Sequence, residues 1–427
     1  MDGVMDTLLH LFHTTDPAMV AMGLMAVGFG LYMAWTIGAN DVANAMATSV
    51  GSGTVSFKQA VFIAAVFELS GAVLAGGTVT DTVRKGIINT NLFVQEPTLL
   101  ILGMVAALLA AALWLHGATY FGMPVSTTHS IVGAIVGFGL LTFGSSAIHW
   151  HTVFFIIMSW VISPIGGGLL AFLVFILIRK AVLTNTNPAA AIKIWAPIFG
   201  ALTVWIIVIS AIWKGLARFK LNPTGAEMVM ISLAAAAIGY GILWFVVRRR
   251  ADRLKNPKQV ESVFMLLQLF TACYVAFAHG SNDVANAVGP MAAVVQTITS
   301  GIVALKVAVP FWILIMGGVG IVSGLAVYGY RVMRTVGKDI TEITPSRGFS
   351  AEFSAASVVL IASKLGLPIS TTHTLVGAVL GVGLAQGFDA LNLRVIRSII
   401  FSWLLTLPIA AGLTMLIFSV LRVIFAA

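Results

Sequence analysis

Long runs of apolar residues, separated by short polar segments, dominate the chain from residue 19 onward. The first runs are Met19–Ile37, Val61–Thr80, Leu99–Tyr120, Val153–Ile178, Ile194–Trp213 and Met228–Val247, and others follow from Val263. An α-helix needs ~20 apolar residues to cross a bilayer, so the pattern predicts an all-α polytopic membrane protein with about ten to twelve membrane segments. Strands of a membrane barrel would instead alternate over segments of ~10 residues.

The composition agrees, with 59% hydrophobic residues, 9% charged residues and a mean hydropathy of +1.02. The net charge of +9 does not indicate nucleic-acid binding, because the basic residues lie in short loops between apolar runs. Residues 1–16 contain three aspartates and no Lys or Arg, so we expect no cleavable signal peptide there. The single cysteine, Cys273, excludes an intramolecular disulfide and a Cys-rich metal site.

Two polar strings occur twice. Gly38–Ala45 (GANDVANA) returns as Gly280–Ala287 (GSNDVANA), and Pro124–His129 (PVSTTH) returns as Pro368–His373 (PISTTH). The copies keep the same order, at nearly equal offsets of 242 and 244 positions. Chance explains this poorly, so the chain is predicted to be an internal duplication.

The expected organisation is an N-terminal segment 1–18, a first transmembrane repeat 19–247, a basic cytoplasmic linker 248–260 and a second transmembrane repeat 261–427. The arginines and lysines of the linker favour the cytoplasmic side. If the repeats are inverted, both termini lie on the opposite side. Arg84 and Lys85 then lie opposite their counterparts Arg334 and Lys338, so the positive-inside rule cannot hold for both pairs.

The NDVANA strings offer ligands for a cation. Asp41 and Asp283 lie among apolar residues, where a carboxylate is costly unless it is paired, protonated or bound to a cation. No basic residue lies within either string, whereas Asn40, Asn44, Asn282 and Asn286 supply amide oxygens. Carboxylate and amide oxygens suit a hard cation. The alternative is that these side chains only hold helices together by hydrogen bonds.

The STTH strings offer donors for an anion. In each copy a glycine and a proline break the preceding helix, and Ser126 or Ser370 stands where an N-cap belongs. This predicts a re-entrant helical hairpin whose second arm begins inside the membrane. Its N-terminal N–H groups and hydroxyls would bind an anion without a lysine. The alternative is that Ser and Thr cap an ordinary helix.

Together the strings predict a cation-coupled anion transporter with one central site between two related halves. The helices after the strings contain small residues that would permit close packing and sliding, namely Gly133, Gly137, Gly139, Gly377, Gly381 and Gly383. Two further acids in apolar surroundings, Glu68 and Glu352, are second-tier candidates for cation binding or coupling, with a buried ion pair as the alternative. For His129 and His373, and similarly for His279, a structural role is the expectation.

Two other classes of protein are less consistent with the sequence. An intramembrane serine protease would need an activated serine and one asymmetric oxyanion hole, whereas the strings occur twice and lack GxSxG. We therefore predict that the chain is not an enzyme. A channel needs a continuous pore, and broken helices in two halves fit alternating access better.

The paired GANDVANA, GSNDVANA and STTH strings resemble those of the inorganic phosphate transporter (PiT) family, and so do Val50–Val55 and Thr82–Gly86. The resemblance covers nearly the whole chain. It implies inverted repeats with two re-entrant hairpins, a homodimer, and uptake of inorganic phosphate driven by a cation gradient. The short central loop departs from animal members, so regulation through a large cytoplasmic domain is not expected.

The resemblance also assigns roles to residues. It implies phosphate binding by Ser126, Thr127, Thr128, Ser370, Thr371 and Thr372. It implies sodium binding by Asp41, Asn44, Asp283 and Asn286, and Glu68 and Glu352 match acidic positions needed for transport in sodium-driven members. No cofactor is expected beyond co-transported sodium.

The coupling ion and the anion rest on narrower arguments. GANDVANA with the following VGSGTVS resembles the sodium-driven branch, so sodium symport of HPO₄²⁻ in a cell membrane, the prokaryotic inner membrane, is the prediction. The alternative is a proton-coupled phosphate or sulfate permease of the same fold. Carboxylates near the anion favour HPO₄²⁻, which can donate a proton, over sulfate, which cannot.

Overall fold

The computed structural model describes residues 16–75, 86–218, 223–251, 257–301, 303, 309–367 and 369–425. Within these ranges the chain is helical, and ten helices are long and apolar enough to cross a membrane. The predicted all-α polytopic class is confirmed. Arg84, Lys85 and Pro368, on which parts of the sequence argument depended, lie outside the described residues.

The first half contains α1 (Pro17–Ile37), a π-helical turn (Gly38–Val42), α2 (Ala43–Gly51), α3 (Phe57–Ala75), α4 (Pro97–Tyr120), α5 (Thr127–Phe143) and α6 (Trp150–Ile178). Then follow α7 (Pro188–Arg218) and α8 (Gly225–Ala251). The second half contains α9 (Glu261–Ser300), α10 (Phe311–Tyr328), α11 (Tyr330–Arg334), α12 (Pro345–Lys364), α13 (Thr371–Leu384) and α14 (Leu393–Ile424). Each half thus runs from a long helix through a second helix and a two-armed hairpin to another long helix.

The linker predicted at 248–260 begins inside a helix. Arg248, Arg249 and Arg250 form the last turn of α8, and Pro257–Val260 is a 3₁₀ turn that leads into α9. Arginines suit a helix C-terminus because they complement the negative end of its dipole. The four segments of the predicted organisation stay predictions.

The chain turns back in both hairpins for the same local reason. The first arm of each ends just before a glycine in the left-handed region, Gly122 at φ +67° and Gly366 at φ +70°. A residue without Cβ adopts this conformation at little cost, which lets the chain turn back. The second arms, α5 and α13, begin at the side-chain caps Ser126 and Ser370, which accept from the backbone N–H of the histidine three residues on.

The halves are interleaved rather than side by side. The α5 arm of the first half packs on α14, and the α13 arm of the second half packs on α6. Glycine permits both contacts: a Cβ on Gly133 or Gly137 would meet the α14 backbone, and one on Gly377 or Gly381 would meet the α6 backbone. Each hairpin is therefore held between its own half and the other.

The long helices also cross at glycines beside the polar strings. A Cβ on Gly38 would collide with the backbone of α10 at Ile321, and one on Gly280 would collide with the backbone of α3 at Glu68. Gly324 and Gly71 provide the reciprocal close approaches. Without side chains at the crossing, the helices that carry Asp41 and Asp283 come within backbone contact of the other half.

Candidate functional site

Asp41 and Asp283 lie in different local backbones although their strings match. Asp41 belongs to the π-helical turn between α1 and α2, whereas Asp283 lies inside the continuous helix α9. A π turn inserts an extra residue into a helix and is frequent at functional sites. Both carboxylates are buried, with side-chain exposures of 2% and 0%.

Asp41 receives hydroxyls from both hairpins. Thr127 at the start of α5 donates to Asp41 Oδ2 at 2.6 Å, and Thr372 at the start of α13 donates to Oδ1. The two half-helices also meet each other, since Thr128 Oγ1 donates to the carbonyl of Ile369 at 3.1 Å. One carboxylate therefore joins both halves.

Asp283, the equivalent residue of the second NDVANA string, also contacts a half-helix. Its Oδ1 accepts from Thr128 Oγ1 at 3.3 Å and from Asn286 Nδ2 at 3.0 Å. Asn286 Nδ2 also lies 3.1 Å from Thr127 Oγ1 and 3.2 Å from Thr128 Oγ1. The strings that the sequence assigned to different ions thus form a single hydrogen-bonded group.

His279 lies between Asp41, Glu68 and Asp283. The sequence had led us to expect only a structural role for it, and did not predict this position. Its Nε2 is 3.2 Å from Asp283 Oδ2 and 4.0 Å from Asp41 Oδ2. Its Nδ1 is within hydrogen-bonding distance of Glu68 Oε2, at 3.0 Å. Two signals in the sequence point to it: the i, i+4 spacing to Asp283, which places both on one helix face, and its replacement by Ile37 in the first repeat.

We call these eight residues the central cluster: Asp41, Glu68, Thr127, Thr128, His279, Asp283, Asn286 and Thr372. It contains three carboxylic acids and one imidazole with little access to water. Burying an excess of negative charge is costly unless cations or protons compensate it.

The free acceptor atoms of this region fit a cation. Within the described ranges, the buried oxygens Asn44 Oδ1 and Asn286 Oδ1 accept no hydrogen bond, and Asp283 Oδ2 faces the His279 ring nitrogen. Asp41, His279 and Asp283 offer ligand atoms that all lie within 4.8 Å of one another. A cavity of about 10 Å³ adjoins Asp41 and Asn44, which is room for about one water molecule. A space of this size would accept a small monovalent cation that has lost its hydration shell.

Asn40 and Asn282 are placed differently from the other polar residues of their strings. Asn40 Nδ2 donates to Thr119 Oγ1 at 2.9 Å and to the Met123 carbonyl at 3.0 Å, and its Oδ1 accepts from the Val125 N–H at 3.2 Å. Asn282 Nδ2 makes the matching bonds to Ser363 Oγ and the Leu367 carbonyl. Each asparagine therefore braces the hairpin of its own half.

Glu352 belongs to a second buried group, the Glu352 cluster, which consists of Thr48, Ser49, Gln268, Thr271 and Glu352. Oε1 of the carboxylate accepts from Thr48 at 2.7 Å, Ser49 at 2.5 Å and Gln268 at 3.0 Å, and Oε2 accepts from Thr271 at 2.6 Å. The cluster lies where α2, α9 and α12 meet. Glu68 and Glu352, paired in the sequence argument, therefore lie in different surroundings.

The remaining STTH residues divide between capping and lining. Ser126 and Ser370 use their hydroxyls to cap α5 and α13, while the Thr371 side chain borders the small cavity. His129 and His373 are in mutual ring contact at 4.3 Å between centroids, and they pack on Trp160 and Trp403. The two histidines close the seam between the hairpins.

A buried polar site, shared between interleaved halves of a helical membrane protein and lined by two half-helix N-termini, defines the class of secondary transporters. Comparison with known proteins specifies the family. Residues 37–414 match the model of the phosphate transporter family, so the chain belongs to that family and is a transporter rather than an enzyme.

Individual relatives agree. The chain is 48% identical over 398 residues to a Thermococcus kodakarensis protein named as a phosphate permease, covering 93% of this chain and 97% of the relative. It is 45% identical over 418 residues to the chloroplastic inorganic phosphate transporter 2-1 of Arabidopsis thaliana, covering 91% and 70%. A solved structure titled as the sodium-dependent phosphate transporter superposes with a TM-score of 0.90 at 42% identity, covering 95% of this chain and 100% of that one.

Proposed function

We propose that this protein imports inorganic phosphate together with sodium ions by alternating access. The observation that carries the proposal is the central cluster, in which hydroxyls from both half-helices meet carboxylates from both NDVANA strings. Membership of the phosphate transporter family supports phosphate as the substrate.

Sodium is supported by the chemistry of the ligands. Carboxylate, amide and hydroxyl oxygens are hard ligands. The amide oxygens of Asn44 and Asn286 accept no hydrogen bond from the described residues, and a cation would satisfy them. The similar solved structure is described as sodium-dependent, which favours the same ion for this chain.

Phosphate would accept hydrogen bonds from hydroxyl groups that donate to the carboxylates in this structure. The hydroxyls of Thr127, Thr128 and Thr372 would turn from Asp41 and Asp283 to the phosphate oxygens, beside the free N–H groups of α5 and α13. Sodium ions on the released carboxylates would then separate the negative charges. Binding of one ion would in this way favour binding of the other, which is what coupled transport requires.

Alternating access is supported by the interleaving of the halves. The central cluster lies at the seam between the hairpins, which contact each other through Thr128, Ile369 and the two histidines. Rocking of one half against the other would open this seam to either side. A homodimer in the prokaryotic inner membrane completes the proposal and rests on the family resemblance.

Reconstitution into liposomes tests the proposal. We expect labelled phosphate to accumulate when an inward sodium gradient is imposed and not when potassium or choline replaces sodium. Excess sulfate should compete weakly. Uptake that is independent of sodium and is abolished by a proton uncoupler would show that sodium is not the coupling ion.

A proton-coupled permease is the second candidate, and one observation favours it. His279 lies between Glu68 and Asp283, with a ring nitrogen close to each carboxylate. Such a chain of titratable groups can carry a proton between acids. The same liposomes distinguish the candidates, because an imposed pH gradient without sodium drives uptake only in the second case.

A further inference from the structure

One end of the bundle, here called the basic end, carries Arg179, Arg394, Arg397 and the terminal arginines of α8, whereas Arg422 lies in the last turn of α14 at the other end. Arg179, at the end of α6, donates to the Ala385 carbonyl after α13, and the Asn392 N–H before α14 donates to the Ile340 carbonyl. The ends of α6 and α13 and the start of α14 therefore share one level. The start of α7 lies there too, and α8 packs along α7 and returns its terminal arginines to that end.

At this end α14 exposes one face as an open, shallow surface lined by its own side chains. We call its main residues the basic strip: Leu393, Arg394, Arg397, Ile400, Phe401 and Leu404. Leu393 and the two arginines lie at the start of the helix, and Ile400, Phe401 and Leu404 follow toward the membrane interior. Leu393, Phe401 and Leu404 are 66%, 63% and 71% exposed.

No acidic residue in the described part of the chain pairs with either arginine of the strip. Within the described ranges, Arg394 and Arg397 form no ion pair and no hydrogen bond with another residue, although Asp389 is nearby in sequence. By contrast, Arg248 and Arg249 on α8 lie over the rings of Trp244 and Phe245. The strip thus combines two unpaired charges with an uncovered apolar surface.

The dimensions match one phospholipid. The 32 residues of α14 extend over about 48 Å, which exceeds the ~30 Å hydrocarbon core, so its first turn reaches the headgroup level. From Arg394 to Leu404 the helix rises about 15 Å, roughly the depth of one leaflet. Arginines three positions apart share a helix face and can contact one phosphate group together.

We propose that the basic strip is a binding site for an anionic glycerophospholipid of the leaflet at the basic end. The guanidinium groups would bind its phosphate, and Phe401 and Leu404 would contact its acyl chains. Cytoplasmic leaflets carry the anionic lipids that attract such residues.

A second copy of the chain fits the strip less well. In a two-fold symmetric interface centred here, each patch would face its own equivalent. Arg394 and Arg397 would then oppose their counterparts at the same depth, and four like charges would be desolvated together. Free phosphate fits less well too, because it would leave the apolar half of the strip uncovered.

Native mass spectrometry of the intact detergent-solubilised protein tests the site, with phosphatidylglycerol and phosphatidylcholine as probes. The double variant R394Q/R397Q should bind phosphatidylglycerol about twenty-five-fold more weakly, at about fivefold per arginine, with phosphatidylcholine unchanged. The matched control R248Q/R249Q removes equal charge at the same end and should retain binding. Excess inorganic phosphate should not displace the lipid.

Three results would overturn the proposal. One is retention of phosphatidylglycerol by R394Q/R397Q, and another is an equal loss in both double variants, which would indicate diffuse attraction only. The third is a shift of R394Q/R397Q from dimer to monomer with lipid binding unchanged, which would make the strip an interface between copies. Both arginines are exposed, and the melting temperature of each variant verifies folding.

Discussion

At the scale of residues, the central cluster uses the same oxygen atoms for more than one purpose. Asp41 accepts hydroxyls from both hairpins, and Asp283 accepts from Thr128 and Asn286 while lying beside His279. Removing one carboxylate charge should therefore affect sodium first, because the donors can still find an amide oxygen. Without the Asp283 charge, His279 would keep Glu68 as its main acidic neighbour, whereas without the Asp41 charge it would keep both Glu68 and Asp283.

We predict that Asp41→Asn and Asp283→Asn each raise the sodium concentration for half-maximal uptake by at least about tenfold, equivalent to about 1.4 kcal/mol of binding free energy. The KM for phosphate at saturating sodium should change less. Sodium titrations of uptake in liposomes measure both quantities.

The control is Asp389→Asn, which removes an exposed carboxylate outside both clusters. It should transport as the unaltered protein does. An unchanged sodium dependence in either cluster variant would show that the assignment of these carboxylates to the cation is wrong.

At the scale of elements, glycine decides how closely the hairpins approach their partners. Gly377 and Gly381 on α13 lie against the backbone of α6 at Pro164 and Gly168. A backbone cannot move aside as a flexible side chain can, so a methyl group there must separate the helices. The repeated glycines predicted from sequence to permit packing do so at four of the six positions through backbone contact with the other half.

We predict that Gly381→Ala lowers the melting temperature of the detergent-solubilised protein and reduces uptake, since overpacking costs typically about 1–3 kcal/mol. Gly412→Ala on α14 is the matched control, because nothing lies within 4 Å of the added methyl group. Intrinsic tryptophan fluorescence during heating measures the melting temperatures of both variants. Equal melting temperatures for the two variants would contradict the close packing of α13 on α6.

At the scale of the whole molecule, two separate buried acidic groups bear on the number of ions carried. The central cluster would hold phosphate with two sodium ions, which is electrically neutral for HPO₄²⁻. The Glu352 cluster provides a further carboxylate with hydroxyl and amide groups from three helices. A third sodium there would add one net positive charge to each cycle.

We predict that uptake is electrogenic. A potential of 100 mV, negative inside, contributes about 2.3 kcal/mol per charge and should stimulate sodium-driven uptake markedly. A potassium diffusion gradient with valinomycin imposes this potential in liposomes. Glu352→Gln should remove the stimulation and lower the Hill coefficient for sodium, whereas uptake indifferent to the potential from the start would indicate two sodium ions per phosphate.

Much of the molecule was predictable because its signals are local. Apolar runs near the length of a membrane span identify the helices, and Gly122 with Ser126, and Gly366 with Ser370, mark the hairpin turns, since turn and capping preferences depend on a few adjacent residues. The duplication is visible as repeated letters. All-helical class, internal repetition and the positions of the polar strings therefore follow from the sequence alone.

Only the tertiary structure decided how these parts meet. Thr127 and Thr372 reach the same carboxylate from opposite halves, and Glu68 joins the central cluster through His279 while Glu352 lies in another cluster. Asn40 and Asn282 brace hairpins instead of completing the cluster. These contacts join residues dozens to hundreds of positions apart, and helix packing at glycine crossings, rather than any local preference, determines which of them come together.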